Sequence, residues 1–170
     1  MARESLTHED EELLAAELDA ESDRAVALLG AGYVDARLAD LLEHVLAANI
    51  DKKDASALFE GPNAPIGSFS NRIRMAAAMG VIGPTTRADF DIIRSIRNDF
   101  AHKVRVKSFA DASVESRCQN LKLANISLLG GTPPSSPRRR YIQSVVLGLH
   151  FAYEQVNAGV AMPSRPTISP

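Results

Sequence analysis

Tryptophan is absent, cysteine occurs once, at Cys118, and aromatic residues make up only 5 % of the 170 residues. A single cysteine excludes an intrachain disulfide and a cysteine-based metal cluster. His8, His44 and His150 stand in separate segments without ligand spacing, so neither a metal nor another cofactor is expected. No apolar run approaches ~18 residues and no basic-then-apolar leader is present, which argues against a membrane span and against secretion. A reducing cytoplasm is the expected setting. What remains is an Ala- and Leu-rich chain, 45 % apolar, of a size that fits one domain with a sizeable core. That composition favours helices over sheets.

Charge is nearly balanced overall, at −2, but unevenly placed. Residues 1–60 carry 15 Asp/Glu against 5 Lys/Arg, whereas residues 61–170 carry 14 Lys/Arg against 6 Asp/Glu. Either the two segments fold against each other, or the basic part leaves a face open for phosphates or acidic partners.

Apolar spacing and turn chemistry predict an all-α, single-domain bundle of five to seven helices over residues 8–162. Residues 1–7 are expected to fray, and the proline-rich tail 163–170 to be disordered. A short acidic helix spans 8–18, and a longer one spans Ser22 to Ala48. Gly30 and Gly32 each cost the latter about 1 kcal/mol relative to Ala, so either close approach of a neighbouring helix offsets the cost or the helix breaks there. Asp51 or Asp54 caps a short helix ending near Glu60, and Ser68 caps one running to Met79, stopped by a left-handed Gly80. Thr85 or Thr86 caps a helix to about Val104, with Asp89 favouring its dipole. Asp111 caps a helix through Leu123, buried through Val114, Cys118 and Leu121. After a linker from Gly130 to Ser136, Pro137 opens a last helix reaching Ala158.

The most informative stretch is Arg97-Asn98-Asp99-Phe100-Ala101-His102. Arginine grips a phosphate with two prongs, and histidine exchanges protons near neutral pH. With Ile93 at zero and about 100° per residue, Asp89, Ile96, Phe100 and Val104 fall within about 60° of it, on the core-facing arc. Arg97 sits near 40°, inside that arc, where a half-buried guanidinium would bond carbonyls or a carboxylate. Asp91, Arg94, Asn98, His102 and Arg105 line the opposite side, between about 100° and 180°. Arg97 and His102 diverge by about 140° in an ideal helix, so they converge only if the helix loosens, Arg97 curls round, or a second subunit joins a shared cleft.

The ordered segments Gly61-Pro62, Ile66-Gly67-Ser68-Phe69, Asn71-Arg72-Ile73-Arg74 and Met79-Gly80-Val81-Ile82, followed by the motif helix, resemble the mannitol operon repressor-like family. Tyr33-Val34-Asp35-Ala36-Arg37-Leu38 and Phe109-Ala110-Asp111 extend the resemblance to residues 20–122. It implies a regulatory protein acting through protein partners. Arg97, Asn98 and His102 also look like the Arg-x4-His signature of HEPN domains, which are helical, usually dimeric, and in many cases metal-independent ribonucleases. By that analogy His102 is the general base or acid, Arg97 neutralises charge on the phosphorus oxygens, Asn98 orients substrate or His102, and RNA ends as a 2′,3′-cyclic phosphate. The homodimer, the protein partner and RNA are thus the expected partners.

Further cations are candidates for phosphate or partner binding: Arg94 and Arg105 on the motif helix, Arg72 and Arg74 beside the glycine loop, where ion pairs with the acidic helices would equally suffice, and Arg138-Arg139-Arg140 at the last helix start, where the alternative is a solvated, locally flexible turn. Three cations there oppose the helix dipole, and a docked anion would relieve them. Residues 72–104 offer a helix, a glycine turn and a helix, but the second helix is long and begins with Asp89 and Asp91. That argues against sequence-specific DNA reading.

Overall fold

Four helices begin where a side-chain oxygen replaces a missing intrahelical acceptor. In the computed structural model, which describes residues 7–47, 51–126 and 132–159, Thr7 opens α1 (His8–Ala20). Thr7 is no frayed residue: its hydroxyl accepts the Asp10 N–H at 3.2 Å, and the Asp10 carboxylate accepts the Thr7 N–H at 2.9 Å. Those bonds hold the Asp10 carboxyl below its ordinary range. Ser22 caps α2 (Asp23–Leu46), Asp51 caps α3 (Lys52–Phe59) and Ser68 caps α4 (Phe69–Ala78). Gly80, at φ +73°, ends α4 in the left-handed region as expected.

The motif helix, α5 (Pro84–His102), departs from expectation at both ends. Its N-cap is Gly83 with Pro84 in the first turn, rather than Thr85 or Thr86. It stops at His102, so Val104 leaves the apolar arc and stands 84 % exposed, while Val106 takes the buried position. α6 (Ala112–Gln119) is shorter than expected, and a separate 3-10 turn follows at Leu123–Asn125. Asp111 spends its carboxylate on the N–H groups of Lys107 (2.8 Å) and Ser108 (3.1 Å), fixing the loop before α6. α7 (Pro137–Asn157) closes the bundle. Among the described residues there are seven α-helices and no strand. Residues 1–6, Gly130 and Gly131 of the linker, and the whole tail 163–170 lie outside those residues.

α2 is the axis of the fold, packing against α1, α3, α4, α5 and α7. Gly30 is where α7 comes closest: a Cβ there would stand 3.0 Å from Tyr141 Cε1 and 3.3 Å from Val145 Cγ2. Tyr141 is fully buried and donates its hydroxyl to the Ala27 carbonyl at 2.8 Å. Gly32 has no such neighbour; a Cβ there would meet nothing within 4 Å. Close approach thus explains Gly30 but not Gly32.

The uneven charge is largely settled inside the fold. Arg138 pairs with Asp23 at 2.5 Å and donates to the carbonyls of Leu18 and Asp19 at 3.1 Å, at the end of α1. Arg139 pairs with Asp19 at 2.6 Å, Arg72 with Asp35 at 2.7 Å, and His150 with Glu11 at 2.6 Å. Arg140 is buried and donates to the carbonyls of Cys118 (2.9 Å) and Leu121 (2.9 Å), where α6 ends. Five of the seven cations nominated above as phosphate or partner ligands therefore have internal partners: Arg72, Arg138, Arg139 and Arg140, and more loosely Arg94, which reaches Asp91 at 3.6 Å.

Candidate binding groove on the motif helix

Two buried aspartates fix α5 before any exposed residue matters. Asp89 is fully buried and accepts the N–H groups of Lys122 at 3.0 Å and Leu123 at 2.8 Å, so it caps the 3-10 turn instead of serving only its own helix dipole. Asp99 accepts a bond from Arg117 of α6 and pairs with Lys103 at 2.8 Å. Burial alone would raise the Asp99 carboxyl, but hydrogen bonds from Lys103 and Arg117 outweigh it and hold the group below 3.8. At the helix end, Arg24 of α2 donates to the carbonyls of Phe100 and Val106, the latter at 3.0 Å. These contacts tie the motif to α2, α6 and the segment before α7.

They also turn the buried face along the helix. Early in α5 the buried residues are Thr86, Asp89 and Phe90, spanning about −40° to +60° from Ile93. Later they are Ile96, Asp99 and Phe100, spanning about −120° to −20°. Arg97, near +40°, falls outside the later arc and is exposed, contrary to the expected half-burial. Its Nη1 donates to Asn98 Oδ1 at 3.1 Å, and it holds no carboxylate among the described residues.

Arg94, Arg97 and Asn98 line a cavity of about 310 Å³ between α5, α2 and the start of α4. Leu28, Ala31, Gly32 and Asp35 supply the α2 wall, and Ser68, Phe69 and Ser70 the α4 wall. Asp35 is occupied by Arg72. Arg94 reaches Asp91 only at 3.6 Å, and its Nε is buried without an acceptor. A second hollow of about 460 Å³ lies further along the same pair of helices, lined by Ala77, Pro84, Arg87 and Asp91.

His102 is exposed at the last position of α5 and does not line the cavity that holds Arg97. Arg105 is exposed in the loop after α5, and Arg74 is exposed one turn beyond Ser70 on α4. The structure therefore brings together Arg94, Arg97 and Asn98, and leaves His102, Arg74 and Arg105 apart from them. Sequence reasoning passed over Asp99, Arg117 and Arg24. The four-residue spacing from Asp99 to Lys103 was a signal for Asp99, whereas nothing local marks Arg24 or Arg117. Gly32, expected to serve packing, is a wall of the cavity.

Among the described residues no group of His, Cys, Asp and Glu could hold a metal ion. No helix among them is long and apolar enough to cross a membrane. Comparison with family models, curated proteins and solved structures finds no match to this chain.

Proposed function

We propose that this chain is a regulatory protein similar to the mannitol operon repressor-like family, dimeric and acting through contact with a protein partner on the α5 face. The observation that supports binding over catalysis is the separation of Arg97 from His102. Five residues of helix put them about 140° and roughly 7.5 Å apart along the axis. Arg97 is turned to Asn98 and the cavity, while His102 stands outside it. General acid–base work on a phosphodiester needs the imidazole and the charge-stabilising cation at one phosphorus.

A second reading is favoured by the exposure of both groups. A HEPN-type ribonuclease would place the guanidinium of one protomer and the imidazole of another on one RNA phosphate. There His102 takes the proton of the ribose 2′-hydroxyl, the 2′-oxygen attacks phosphorus, and the 5′-oxygen leaves with a proton from water, the imidazolium later returning its own to solvent. The products are a 2′,3′-cyclic phosphate and a 5′-hydroxyl, with Arg97 balancing charge on the equatorial oxygens.

Deletion and complementation in the source cell, read by RNA sequencing, separate the two. The regulatory reading expects a defined set of transcripts to change in abundance, restored by the wild-type gene and by His102→Ala alike. New RNA ends carrying 2′,3′-cyclic phosphate, made by purified protein in EDTA and lost in His102→Ala, would replace it with the nuclease.

A further inference from the structure

The arginines of this fold divide by what they hold. Arg72, Arg117, Arg138 and Arg139 take carboxylates, and Arg24 and Arg140 take backbone carbonyls. Arg94 and Arg97 differ: they line one concave site, Arg94 reaches a carboxylate only through Nη2 to Asp91 at 3.6 Å, and Arg97 has no carboxylate among the described residues.

The opposite wall adds donors. The first turn of α4 lines the cavity through Ser68, Phe69 and Ser70. Ser68 Oγ accepts the Asn71 N–H at 3.2 Å, which leaves the N–H groups of Phe69 and Ser70 without an acceptor among the described residues. This helix start is positive and directs donors outward. The one carboxylate lining the cavity, Asp35, is held by Arg72 at 2.7 Å.

We propose that this cavity binds a small phosphomonoester, its phosphoryl group held between Arg94 and Arg97 and its carbon body lying on Leu28, Ala31 and Phe69. A carboxylate would satisfy one arginine in a two-pronged pair. A phosphoryl group has three oxygens, enough for both guanidinium groups and the α4 N–H groups at once. The volume, about 310 Å³, is at the small end of ligand sites and leaves room for only a few carbons beside the phosphate. The apolar part of the wall favours an ester over free phosphate. Gly32 keeps the space open, since its missing side chain would meet nothing. The proposal rests on the binding reading of this face, and gives that reading a small-molecule effector.

The test is calorimetric titration of the full chain with glycerol 3-phosphate, inorganic phosphate, sulfate and a phosphoserine peptide. Saturable binding of glycerol 3-phosphate is expected, tighter than either inorganic ion. Arg97→Gln and Arg94→Gln each weaken it about tenfold or more, the loss of one charge-assisted pair. Gly32→Leu fills the cavity and abolishes binding, with helical circular dichroism and thermal midpoint retained. No saturation by about 20 mM ester, or equal affinity in Arg97→Gln and Gly32→Leu, overturns the site. Tighter binding of the phosphoserine peptide by tenfold or more assigns the pocket to a phosphoprotein and overturns the small-molecule occupant. New cyclic-phosphate RNA ends with the titration intact would remove the regulatory reading and leave this site standing.

Discussion

Three glycine-to-alanine exchanges in helices should have three different outcomes, because helix propensity is nearly constant while the surroundings are not. Each gains about 0.5–1 kcal/mol by replacing glycine inside a helix. At Gly32 the new methyl meets nothing within 4 Å, so the full gain appears as added stability. At Gly30 the methyl stands 3.0 Å from Tyr141 Cε1 and 3.3 Å from Val145 Cγ2. Tyr141 is fully buried and hydrogen-bonded to Ala27, so the ring cannot yield cheaply. Overpacking of about 1–3 kcal/mol then exceeds the propensity gain, for a net loss near 1 kcal/mol. At Gly148 the methyl would overlap the edge of the Phe90 ring, which is fully buried between α5 and α7. A loss of about 2 kcal/mol or more is expected there. Urea unfolding at constant slope measures all three, and thermal midpoints should move about 2–4 °C per kcal/mol. Equal shifts in the three variants, or a destabilised Gly32→Ala, would refute both the packing at Gly30 and the open wall at Gly32.

Further outcomes follow from the buried polar groups. Asp99 and Asp23 have folded-state carboxyls below their ordinary value of 3.8, since hydrogen bonds outweigh burial. Their stabilisation is complete above that value and disappears as pH falls through the lower folded values, so Asp99→Asn should flatten the loss of stability measured by urea unfolding below about pH 4. Burial pushes the Cys118 thiol up to about 12, so a thiol reagent at pH 8 should label it only after unfolding; fast labelling of the native chain would contradict its burial. Arg140→Ala strips donors from the carbonyls that end α6 and should cost about 1–3 kcal/mol for each carbonyl left bare, whereas Arg74→Ala and Arg105→Ala should stay within about 0.5 kcal/mol by the same urea titration.

Local chemistry made the helices legible. Ser68 and Gly80 act within a few residues of themselves, so their roles as cap and stop could be read directly. Thr85 and Thr86 misled because Pro84 suits the first helical turn better than either hydroxyl suits the cap. The ideal helical wheel misplaced Arg97, since a single zero angle cannot describe a helix whose neighbours change along its length. The arginine run of residues 138–140 misled for another reason. The acceptors of Arg138 lie more than a hundred residues away, at the end of α1 and the start of α2, and those of Arg140 lie 22 and 19 residues back, around the end of α6.

Period, caps and composition by themselves determined that this chain is helical, where most helices start, and that Asn98 and His102 lie on the water-facing side of one of them. Those properties depend on interactions within one or two turns. Only the packing of α2, α4, α5 and α7 decided which cations remain free, which glycine is a contact and which is a wall, and that Arg94 and Arg97 share one cavity. Such choices depend on which distant carboxylates and carbonyls reach each guanidinium first, and that is set by the tertiary arrangement.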